Sequence, residues 1–141
     1  MTTEQTDQNK RKYVRYNIEL GSFAVFRHDL SVLPGLIVDI SKGGLAFFYH
    51  EDEDWPQDSS ELFYLFGDKY NVENVSLITT YDAEVTDTNH PIYKVIAQQK
   101  TGPIKIRRRG VEFGLLSREQ EKAVEALTNE YHASQDELCL E

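Results

Sequence analysis

Two short runs carry the residues best suited to chemistry. The first, Arg11-Lys12-Tyr13-Val14-Arg15, frames two guanidinium groups as an RxxxR pattern. The second, Asp39-Ile40-Ser41-Lys42-Gly43-Gly44, is a DxSxxG pattern with a carboxylate and a hydroxyl ahead of paired glycines. A carboxylate accepts two parallel hydrogen bonds, which suits the ring N–H and exocyclic amine of guanine. An arginine fork suits guanine's O6 and N7 acceptors. Aspartate and arginine together can therefore specify guanine. On an extended strand Asp39 and Ser41 share one face about 7 Å apart, and Arg11, Tyr13 and Arg15 share another over about 13 Å. Gly43 and Gly44 let a flat or charged ligand come close to the backbone. Tyr13 can stack on a base, or simply pack beside a strand.

The elements that must position these groups read as mostly β. Residues 17–28 alternate as a strand, Leu33-Pro34-Gly35 is a turn, and Leu36–Ser41 alternates again, with Leu36, Val38 and Ile40 on the expected core face. Gly43-Gly44 breaks that run where a positive φ is easily reached, and Gly44–His50 resumes it, so the pair predicts a hairpin. Further strand-like runs lie at 61–66, 74–87 and 91–99. In the run 104–116, Ile104 and Ile106 differ in parity from Val111, Phe113 and Leu115, which predicts a bulge near Arg109-Gly110. Ser117 to Gln120 is a capping box, followed by a helical stripe of Gln120, Val124, Leu127 and Tyr131. The resulting division is a polar tail at 1–9, one domain at 10–132, and a second tail at 133–141. Within the domain lie an arm at 10–15, a β-barrel at 17–116 and a helix at 117–132.

Composition narrows the partners. The 141 residues suit one core, and 15 basic against 24 acidic side chains give a net charge of −9. That sign disfavours duplex nucleic acid and acidic membrane, and it weighs against single-stranded nucleic acid as well. Local cation clusters remain at Lys10–Arg15 and Lys100–Arg109. One cysteine, a polar N-terminus and no long apolar run predict a cytoplasmic chain without membrane insertion. The histidines lack metal-ligand spacing, and the acidic run 51–60 around Trp55 reads as a solvated loop. No nucleotide-hydrolase, dinucleotide-fold, serine-hydrolase or zinc-protease signature is present, so neither catalysis nor a cofactor is expected.

Taken in order, RKYVR, DISKGG at a strand-to-strand turn, RRRGVEF and a closing helix resemble the PilZ domain family over residues 10–131. The resemblance implies a six-stranded antiparallel β-barrel with a C-terminal helix that binds cyclic di-GMP. It implies guanine and phosphate contacts from Arg11 and Arg15, guanine-edge contacts from Asp39 and Ser41, and a turn shaped by Gly43 and Gly44. Lys10 stands where the family often has a further arginine and offers a point charge in its place, which bears on whether one or two ligands bind. Arg107, Arg108 and Arg109 fall where the family often carries basic residues; the three either help to hold the ligand or are plain surface charge, and Arg109 is counted with Lys10 and Gly43 as a further ligand-binding residue. The implied function is a receptor whose N-terminal arm orders over the ligand and which signals to a protein effector. The alternative is a PilZ-like adaptor that works without ligand, through the acidic loop around Trp55 or the C-terminal helix.

Overall fold

A computed structural model describes residues 22–29, 31–55 and 61–139. Six antiparallel strands close into a barrel in the order β1-β2-β3-β6-β5-β4. They are β1 (Ala24–Phe26), β2 (Gly35–Ile40), β3 (Gly44–His50), β4 (Leu62–Phe66), β5 (Asn71–Glu84) and β6 (Ile106–Phe113). Helix α1 (Pro91–Ala97) lies between β5 and β6, and α2 (Arg118–Cys139) follows β6. The mainly β architecture with a C-terminal helix is the one the sequence predicts.

The barrel is filled by Val25, Ile37, Phe47, Leu65, Val75 and Val111 among others, and α2 adds Val124, Leu127 and Tyr131 to the same core. Tyr131 meets Phe23 edge-on at 5.2 Å. The capping box forms as its residue types dictate: the Gln120 backbone N–H donates to Ser117 Oγ at 3.1 Å, and the Ser117 N–H donates to Gln120 Oε1 at 2.9 Å. Gln120 Nε2 also donates to the Glu73 and Asn74 carbonyls, tying the helix start to β5. The helix does not stop at 132. It runs on to Cys139, so most of the expected second tail is helical.

A second core lies outside the barrel and corrects several expectations. Residues 91–97 form a helix in place of the predicted strand. Pro91 fits the first helical turn, the His90 ring accepts from the Ile92 N–H at 3.1 Å, and Ile92 and Ile96 bury one face. That face packs on Ala24, Leu36, Phe48 and Ile106. Ile106 therefore faces the outer core and Val111 the inner one, which explains their opposite parity without any bulge in β6. The register shift falls on the partner strand, at Thr80 of β5 between Thr79 and Tyr81. A second shift at Val38 breaks the alternation expected for β2: Ile37 and Ile40 enter the barrel, while Leu36 faces the outer core.

The acidic run is also paired where a solvated loop was expected. Lys100 bridges Asp52 and Glu53, Arg107 reaches Glu51, and Arg27 binds Glu61 and Asp54. Trp55 is 6% exposed and stacks on Phe63 inside the barrel, so it offers a partner no surface.

Candidate functional site

The two register shifts decide what the outer face of the sheet presents. With Val38 and Thr80 each absorbing one residue, Asp39 pairs with Ala46, Ala46 with Gly110, and Gly110 with Tyr81. This row crosses four strands, with a carboxylate at one end, an aromatic ring at the other and the two smallest side chains between them. It floors an open groove of about 500 Å³ whose walls include Asp39, Ser41, Gly43, Gly44, Tyr81 and Arg108. Four of the residues singled out from the sequence, Asp39, Ser41, Gly43 and Gly44, are thus brought together here.

The hairpin tip is fixed from both sides. The Ser41 N–H donates to the Gly44 carbonyl at 2.8 Å, and the Phe113 N–H donates to the Gly43 carbonyl at 2.9 Å. Asp39 and Ser41 are both exposed. Neither Gly43 nor Gly44 adopts a positive φ, contrary to the sequence expectation. Glycine is needed at 44 for space, because a β-carbon there would overlap the Val111 carbonyl oxygen. Gly43 has open space around its Cα, which leaves the backbone approachable.

Strand parity sorts the three consecutive arginines. Arg107 and Arg109 both donate through Nε to the Asp82 carboxylate, which also accepts from the Tyr49 hydroxyl. Arg109 is 3% exposed and donates further to the Trp55 carbonyl at 2.8 Å. Arg109 therefore does not line the groove as expected; it is an interior strut. Burial alone would push the Asp82 carboxyl up, but hydrogen bonds from Tyr49, Arg107 and Arg109 outweigh it and hold the group below the ordinary aspartate range. Arg108 points the other way, into the groove, with Nε donating to the Tyr81 hydroxyl at 2.7 Å.

Tyr81 is the candidate that sequence reasoning missed, and Arg108 is the one it grouped with Arg107 and Arg109 without separating them. Tyr81 sits in a run of β-formers with nothing local to mark it. The signal available was Gly110: a β-carbon there would overlap the Tyr81 ring, so a glycine inside a strand marked the close approach of another group. For Arg108 the clue was parity, since alternation with inward Val111 and Phe113 turns 107 and 109 inward and 108 outward.

Charge shows what the groove lacks. Its walls hold Asp39 and Glu112 against the single guanidinium of Arg108, so an anionic ligand needs cations from elsewhere. Lys10, Arg11 and Arg15 lie outside the described residues. At the described start of the chain, Ala24 pairs with Leu36, and the Phe23 carbonyl accepts from the Ile37 N–H at 2.8 Å. Followed backwards from β1, the backbone runs along β2 toward Asp39. Among the described residues no helix is long and apolar enough to cross a membrane, and no cluster of His, Cys, Asp or Glu is arranged to hold a metal. Comparison with protein-family models, with curated proteins and with solved structures found no match.

Proposed function

We propose that this chain is a PilZ-like, non-catalytic receptor for cyclic di-GMP, working in the cytoplasm and passing its signal to a protein effector. The observation that carries the reading is the groove itself, whose walls gather Asp39, Ser41, Gly43 and Gly44 on one outer face of the barrel. Asp39 reads the ring N–H and amine of a guanine, Ser41 adds a hydroxyl contact, and the open backbone at Gly43 lets the ligand approach. The two carboxylates in the groove make the cationic arm indispensable, because the phosphodiesters would otherwise meet like charge. Arg15 lies seven residues before Ser22, a reach of at most about 24 Å, and the chain enters β1 from the Asp39 side. On this reading Lys10, Arg11 and Arg15 close over the ligand, and the ordered arm becomes the surface an effector recognises.

Calorimetric titration of the full chain with cyclic di-GMP, cyclic di-AMP and GTP tests this directly. Saturable binding of the first alone is expected, with an affinity on the order of micromolar from two or three bidentate contacts plus charge. Arg15→Ala and Asp39→Ala should each weaken it at least about tenfold. Absence of heat with all three nucleotides would favour a ligand-independent adaptor.

A further inference from the structure

The groove has a second wall beyond the RxxxR and DxSxxG runs. Opposite Asp39, the Tyr81 ring lies across Gly110, remains 46% exposed, and is held by Arg108 through its hydroxyl. Among the described residues, Nε is the only atom of Arg108 engaged by the protein, so its two terminal nitrogens are unspent. The contrast with Arg107 and Arg109, both tied to Asp82, is a consequence of strand parity. By sheet geometry, the Cα atoms of Asp39 and Arg108 are about 12 Å apart, two strand spacings across and two residues along. A purine between an aspartate and an extended arginine fills that span.

We propose that Tyr81 and Arg108 form a guanine clamp built into the barrel: Tyr81 stacks on the base, and the terminal nitrogens of Arg108 donate to its O6 and N7 while Asp39 accepts from its opposite edge. The inference rests on cyclic di-GMP being the ligand and adds the groups that select its base. Adenine presents a donor at the position of O6, so Arg108 discriminates against it. The Tyr81 hydroxyl, by accepting from Nε, fixes the fork before the ligand arrives. That arrangement reduces the ordering cost of a long side chain.

The test uses the full chain titrated with cyclic di-GMP and cyclic di-AMP. Tyr81→Ala should weaken cyclic di-GMP binding by about tenfold to a hundredfold, while Tyr81→Phe, which keeps the ring, should recover most of the loss. Arg108→Ala should weaken binding about tenfold and narrow the preference over cyclic di-AMP, and Arg108→Lys should restore neither. In NMR spectra of the ligand, a guanine H8 resonance should move upfield on binding to the parent and to Tyr81→Phe, but not to Tyr81→Ala. If the parent binds cyclic di-GMP while folded Tyr81→Ala and Arg108→Ala stay within twofold of it, the clamp is wrong and the receptor reading stands. Loss in only one of the two variants also overturns the clamp. If Tyr81→Ala does not fold, Arg108→Ala and its base preference decide. A parent that binds no cyclic di-GMP overturns the receptor reading and the clamp together.

Discussion

Asp82 illustrates how one residue decides the fate of its neighbours. Its side chain is 7% exposed and receives Tyr49, Arg107 and Arg109 at once, so removing it breaks a buried ion pair inside the barrel. Asp82→Ala should cost about 3–5 kcal/mol in urea unfolding, the usual cost of breaking a buried ion pair by removing one partner, with Asp82→Asn milder because it keeps an acceptor. The sign with pH follows: the native carboxyl titrates below its unfolded counterpart. Its stabilisation is therefore complete above the unfolded value and fades as pH falls through the folded one. At this scale the sequence was half legible. The hairpin residues Asp39, Ser41 and Gly44 are readable because turn chemistry is local. Arg108 and Arg109 look identical in a string of three, and only the side of the sheet on which each falls separates a groove-lining side chain from a strut.

Among the elements, α1 depends on a histidine cap. Burial pushes the His90 pKa down; the Asp87 charge opposes this and that of Arg108 reinforces it. The neutral ring is the form that can accept from Ile92, so protonation removes the cap. Because the folded pKa lies below the unfolded value of about 6.5, this contribution is present above that pH and is lost as pH falls below it. Comparing denaturation midpoints at pH 7.5 and 5.5 should show a smaller drop for His90→Asn, which caps without titrating, than for the parent. α1 was misread as a strand because Ile92, Tyr93, Val95 and Ile96 are strong β-formers, and the cap and Pro91 outweighed them once Ile92 and Ile96 had an apolar surface to cover. The shifts at Val38 and Thr80 were equally invisible, since each arises from the pairing of two strands and belongs to neither alone.

For the molecule as a whole, long-range and short-range charge act in opposite directions. A net charge of −9 repels a dianionic ligand at a distance, while the expected contacts at Arg11, Arg15 and Arg108 attract it once docked. Salt screens the first effect more than the second, with a Debye length of about 10 Å at 0.1 M. The association rate of cyclic di-GMP should therefore rise between low and physiological salt, and stopped-flow measurements that show it falling would mean the cationic arm dominates the far field. The closed barrel also sets limits on what can dock. One flank of the groove meets the roof of the second core, where Phe48 packs against the His90 ring at 5.0 Å. The other flank, past Gly43 toward Glu112 and the half-exposed Ile78, has no such roof among the described residues. Among the described residues, a molecule longer than the floor would overhang toward the hairpin tip and stand proud of the sheet there, while on the helical side it would abut the second core.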